Sequence, residues 1–184
     1  MLDTKWKIAI IVCWAIFSMQ QHACAQKIRT TQMVISFYSK APLEDIDATN
    51  NQGVSAIDMA TSKIAFVVPI IGFEFKNGLM QEHFNENYLE SDQYPKATYA
   101  GDLIHFDPEK KGVQKVNTKG VLTIHGQSQS IEAKGTMERR GSEWNLICQF
   151  SVKLEDYDIE VPKLMFQKIA ETISIDLQAT YPLQ

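Results

Sequence analysis

In the C-terminal half of the chain, apolar residues recur at every second position. Trp144, Leu146, Cys148, Phe150, Val152 and Leu154 alternate with Asn145, Ile147, Gln149, Ser151 and Lys153, so one face is apolar and the other mostly polar. A period of two places successive side chains on opposite faces, which predicts a long strand buried on one side. Ile173, Ile175, Leu177, Ala179 and Tyr181 repeat the pattern near the end. Shorter alternating or apolar runs occupy Gln32 to Tyr38, Ile64 to Val68, Ala97 to Phe106, Val113 to Ile124 and Ile131 to Met137. Turn signals separate them at Asp107 to Gly112, at His125 and Gly126, and at Arg140 and Gly141. Antiparallel strands of this length must close on themselves or pack as two sheets, because their edges would otherwise stay unpaired. The prediction is an all-β fold, a closed antiparallel β-barrel of about eight strands.

One segment breaks the rhythm. From Gly78 to Glu90, Leu79, Met80, Phe84 and Tyr88 fall at three- and four-residue spacing, while Gln81, Glu82, Asn85, Glu86 and Glu90 take the other side. This predicts one amphipathic helix over 78–90. Its Glu82, Glu86 and Glu90 stripe repels itself, so packing of the apolar face has to hold it. Pro162 to Ile169 is read as a second, shorter helical turn.

The first residues belong to a different class of signal. Lys5 and Lys7 precede the uninterrupted apolar run Ile8 to Phe17, and Ala23 and Ala25 follow in an A-x-A arrangement. A span of a bilayer needs about 20 apolar residues, and this run is much shorter. The order is that of a secretory signal peptide over residues 1–25, leaving one domain over 26–184 that starts at Gln26. Cys24 offers a rival fate, acylation as a lipoprotein, but Gln21 stands where that motif wants a leucine-like residue. Cys13 and Cys24 leave with the leader, so the exported chain keeps one thiol, Cys148, read as a small core residue.

Charge narrows the function classes. The formal net charge is −4, and no basic run exceeds two residues, which argues against a nucleic-acid surface. A phosphate loop, a dinucleotide fingerprint and a nucleophile elbow are all missing. Glu82, His83 and Glu86 share one part of the helix, yet Asn87 stands where a second histidine would be needed, so no metal site is predicted. His105 or His125 with Ser128 and Asp102 could be imagined as a triad, but they lie on separate strands and turns. Glu44, Asp45 and Asp47 lack the glycine and terminal glutamate of a calcium loop. The chain is read as a non-enzyme without cofactors.

Three stretches, FYSKAPLEDIDATN from Phe37, FKNGLMQEHFNENYLESDQYPKATYAGDL from Phe75 and GVLTIHGQSQSIE from Gly120, resemble the YceI-like family over nearly the whole exported chain. The most specific part is Tyr88, Leu89 and Glu90 followed by Tyr94 and Pro95, then Leu122 to Gly126. The resemblance implies a lipocalin-like barrel with one helix near its mouth. It also implies a periplasmic or secreted location and an elongated apolar cavity that holds a polyisoprenoid or another long amphiphile. Such a cavity would be lined by Ile35, Phe37, Phe66, Phe73, Phe75 and Phe84 from the first half, and by Tyr99, Trp144, Leu146, Phe150 and Leu177 from the second. Burying one five-carbon prenyl unit contributes at most about 4 kcal/mol, so about three units would offset association costs and reach micromolar affinity. The competing expectation is a barrel filled by its own side chains, acting as a structural or partner-binding protein. A central cavity of several hundred Å³ would separate the two. A homodimer is kept open as a partner.

Overall fold

The computed structural model describes residues 27–40, 45–160 and 170–183. The leader, Cys24, Glu44 and the turn expected at 162–169 lie outside the described residues. Eleven strands form one sheet: β1 (Lys27–Thr30), β2 (Met33–Ser39), β3 (Ile46–Asn50), β4 (Val54–Asp58), β5 (Lys63–Pro69), β6 (Glu74–Phe75), β7 (Lys96–Ile104), β8 (Gly112–Ile124), β9 (Gln127–Arg140), β10 (Glu143–Lys153) and β11 (Thr172–Pro182). Their order is β1-β4-β5-β7-β8-β9-β10-β11-β2-β3-β6, and every neighbouring pair is antiparallel.

This corrects the expectation of about eight strands in a closed barrel. The two ends of the order, β1 and β6, do not pair, so the sheet curls into an open half-barrel. The strands that the periodicity missed are the short ones, β1, β3, β4 and β6, which carry too few large apolar residues for alternation to register. Still, the β1 edge turns back toward the middle of the order. β1 lies against β11, and Ser55 of β4 and Tyr181 of β11 share a buried hydroxyl hydrogen bond of 2.6 Å.

Antiparallel registers give the half-barrel two ends with different contents. At the end where β7 runs into β8, Trp144, Met137 and Tyr181 are at most 1% exposed, and Trp144 meets Phe106 edge-on at 5.2 Å. The buried Gln114 ties down the turn here: its amide donates to the Asp107 carbonyl at 2.8 Å and its oxygen accepts from the Asp107 amide at 3.0 Å. The turn is thereby held without leaving polar groups stranded in the core. The opposite end contains the β8–β9 hairpin, where His125 and Gly126 both have positive φ, 49° and 74°. A two-residue turn of that handedness matches the twist of the strands it joins. The expected helix crosses this second end.

Candidate functional site

At the second end the inner face of the sheet does not fill itself. It encloses a cavity of about 180 Å³. Its walls come from the inward residues of alternating strands, among them Ile35, Phe66, Leu122, Phe150, Ile175 and Leu177. No Lys, Arg, Asp or Glu lines it among the described residues, and its few polar groups include Thr98, Thr118, Ser36, Ser39 and His83. A wall of this kind suits a neutral apolar chain and penalises a desolvated charge. The volume falls short of the several hundred Å³ anticipated, because aromatic rings project into the space.

Those rings gather beneath the helical segment. Asn77 caps it, its side-chain oxygen accepting from the Leu79 and Met80 amides at 2.9 and 3.4 Å. The helix α1 (Gly78–His83) then widens into a π-type turn, Phe84–Tyr88, closed by the Leu89 amide on the Phe84 carbonyl at 2.9 Å. The expected 78–90 helix is therefore present but not uniform. The wider turn lets both Phe84 and Leu89 line the cavity. Phe84 stacks on Phe37 at 5.6 Å and meets Phe75 at 5.0 Å and Phe73 at 5.5 Å. This cluster lines the cavity beneath the helical segment.

The floor is different in kind. Tyr99 lies flat over the Gly101–Gly120 pair of β7 and β8. A Cβ on Gly101 would come within 2.5 Å of the Tyr99 hydroxyl oxygen, and one on Gly120 within 2.8 Å of its ring. Glycine at both positions clears the slot for the ring. The hydroxyl is hydrogen-bonded to Thr118. Cys148 also lines the cavity, and burial pushes its thiol up to about 11, which keeps it neutral and unreactive.

Ten of the eleven predicted lining residues surround this space: Ile35, Phe37, Phe66, Phe73, Phe75, Phe84, Tyr99, Leu146, Phe150 and Leu177. Trp144 does not. It faces inward as expected but sits beyond the floor, packed on Phe106. Other wall residues, such as Val152, Leu122 and Ile175, share the alternating faces already read from the sequence, whereas Ile159 comes from an irregular segment without any periodic signal. His83 also lines the cavity, but Glu82, His83 and Glu86 do not converge, and among the described residues no group of His, Cys, Asp and Glu could hold a metal ion. The imagined triad is not assembled: Ser128 bonds to Thr123, and Asp102 pairs with Lys63. Asp45 accepts from the Tyr38 hydroxyl, and Asp47 pairs with Lys76.

A family model of the YceI-like domain matches residues 21–181. The chain belongs to the YceI-like family. No curated protein sequence matches it. Among solved structures, a polyisoprenoid binding domain from Saccharophagus degradans implicated in plant cell wall breakdown superposes with a TM-score of 0.72 at 16% identity, over 87% of this chain and 99% of that one. Burkholderia cenocepacia BcnA superposes with a TM-score of 0.68 at 15% identity, over 80% and 95% of the two chains. At such identities these neighbours establish the fold.

The residues that carried the YceI-like resemblance meet at the rim of the cavity. His125 donates from Nδ1 to the Tyr157 carbonyl at 3.1 Å and reaches Glu90 through Nε2 at 3.0 Å. Tyr94 packs edge-on against the His125 ring at 4.5 Å, and a Cβ on Gly126 would strike Tyr94 at 2.7 Å. In this YceI-like protein the most specific stretches of sequence thus form a clasp. It fixes the end of the helical segment to the β8–β9 hairpin and to the turn preceding Asp158.

Proposed function

We propose that this YceI-like protein is an exported carrier or store that holds one long, neutral apolar chain, a polyisoprenoid or similar amphiphile, in its half-barrel cavity. The observation that carries this reading is a cavity blocked at one end, roofed by a clasped helical segment and walled without a formal charge. The polyisoprenoid binding described for the Saccharophagus domain supports the ligand class. The protein acts by binding and not by catalysis, and Ile35, Phe37, Phe66 and Phe150 are ligand contacts. The leader, residues 1–25, is removed on export to the periplasm. One chain suffices for this role, and a homodimer finds no structural argument in it.

The modest cavity volume favours one second reading, a barrel largely filled by its own side chains that serves as a structural or partner-binding protein. Native mass spectrometry of protein purified from its own envelope separates the two. A lipid adduct released by delipidation is expected; its absence, together with failure to retain extracted long-chain lipids, overturns the carrier reading. N-terminal sequencing of the same sample should begin at Gln26, and an acylated Cys24 would identify a lipoprotein instead.

A further inference from the structure

The floor of the cavity holds a pair of hydroxyls in otherwise apolar surroundings. Tyr99 is 8% and Thr118 4% exposed, both line the cavity, and the two are hydrogen-bonded to each other. Two hydroxyls carry two hydrogens. One lies in the bond between them, whichever side donates, and no other hydrogen bond of either hydroxyl joins it to the described residues. The second hydrogen therefore has the cavity as its outlet. A buried donor without an acceptor is costly, and a ligand oxygen placed there removes that cost.

From this pair we infer that the floor is a polar subsite: the ligand enters with a neutral oxygen acceptor leading, a carbonyl or ether oxygen at one end of an apolar chain, and that oxygen accepts from the Tyr99–Thr118 pair. This rests on the carrier reading and specifies which end of the chain goes in first. The chemistry excludes a phosphate or carboxylate at the same place. No cationic side chain lines the cavity among the described residues, and a desolvated anion facing two hydroxyls and the neutral Cys148 thiol would lack a counter-charge. The Gly101–Gly120 pair gives the subsite its shape, since any side chain there would lift the Tyr99 ring out of its slot. The aromatic rings beneath the helical segment then grip the trailing part of the chain.

The test compares three prenyl probes of equal length, ending in a methyl ketone, in plain hydrocarbon and in a carboxylate. Wild-type protein should bind the ketone about three- to tenfold more tightly than the hydrocarbon, the usual range for one net hydrogen bond. Single changes, Tyr99→Phe or Thr118→Val, each leave one hydroxyl hydrogen and should retain part of that preference. The double variant should lose it. The ratio of ketone to hydrocarbon affinity, measured within each variant, should fall to about one in the double variant, while the ratio of carboxylate to hydrocarbon affinity should not move, because the carboxylate probe enters by its other end. Infrared spectroscopy of a carbon-13-labelled ketone supplies a readout that general loosening of the core would not reproduce. The carbonyl stretch should fall on binding to wild type, return to its free position in the double variant, and fall again when Thr118→Ser replaces Thr118→Val beside Tyr99→Phe. Equal affinity for ketone and hydrocarbon in the wild type overturns the subsite while leaving the carrier reading standing. A preference that survives the double change overturns it as well. Binding of no probe removes the carrier reading and the subsite together.

Discussion

The two ends of the half-barrel are built from the same strands and the same inward faces, yet one is solid and the other hollow. In β10, Trp144 and Phe150 stand three alternations apart on one face; the first is 1% exposed and wedged against Phe106, the second lines the cavity. The difference lies in what each end places opposite its large residues. At the solid end, Met137, Tyr181 and Ile57 are fully buried and Gln114 holds the turn between β7 and β8. At the hollow end the facing positions include small residues, Ala97 and Ala133, and the roof is a separate helical segment held by polar contacts at its rim. Alternation decides which way a side chain points, and the sizes of its partners decide whether space remains.

The sharpest way to break this comparison is to truncate both residues in lipid-free protein. Trp144→Ala should cost about 3–5 kcal/mol in urea denaturation, through lost transfer energy and the cavity left behind. Phe150→Ala should cost clearly less, because its ring borders space that was never filled; equal losses would erase the distinction between the ends. Enlargement sharpens it further. Phe150→Trp would strain a packed core by about 1–3 kcal/mol, but here it should leave stability nearly unchanged and abolish retention of an extracted long-chain lipid. Strong destabilisation with unaltered retention would transfer the molecule to the filled-barrel reading.

Alkaline titration probes the floor between the two ends. Burial holds the Cys148 thiol up to about 11 against an ordinary 9.0. Below pH 9 the folded and unfolded chains both keep this proton and the contribution is whole. From there to about pH 11 the unfolded chain releases it first, so stability should fall as pH rises, by something on the order of 2 kcal/mol. Cys148→Ala should flatten the lower part of that profile, leaving the loss above about pH 10 that the buried Tyr181, its hydroxyl pushed up by burial, contributes. A profile identical to wild type would mean that the thiol is hydrated. The smallest effect is expected at the clasp. Glu90→Gln should cost about 0.5–1.5 kcal/mol and be visible mainly as faster lipid release. His125→Ala should act through the same contact, so the double change should add less than the sum of the two.

Much of this architecture was legible because long strands leave long records. The Trp144 to Leu154 and Ile173 to Tyr181 alternations fix inward faces that the structure keeps, and the 78–90 pattern marks the helical segment despite its π turn. β3 escaped because its inward face carries only one large apolar residue, Ile46, beside Ala48 and Asn50, and β6 because two residues hold no period. Alternation places Trp144 on the face of the cavity wall for a related reason: it specifies the face but carries no information on depth along the barrel. The clasp could not be read either, since Glu90 and His125 lie 35 residues apart and only the fold makes them neighbours. Openness, too, is a property of pairing between distant edges, to which no local pattern reports.

The wedge of Trp144 against Phe106 makes the hollow end a cul-de-sac. A chain held in such a sleeve has one doorway for arrival and departure, so whichever end enters first is the last to leave. In the carrier reading, exchange with a membrane or another protein would be a handover led by the trailing end, and an acceptor would have to recognise that end while the buried one is still hidden. A lipid longer than the sleeve would not be swallowed but capped, its remainder projecting past the Phe37 and Phe84 rings. The protein would then shield one terminus of a long molecule rather than the whole of it.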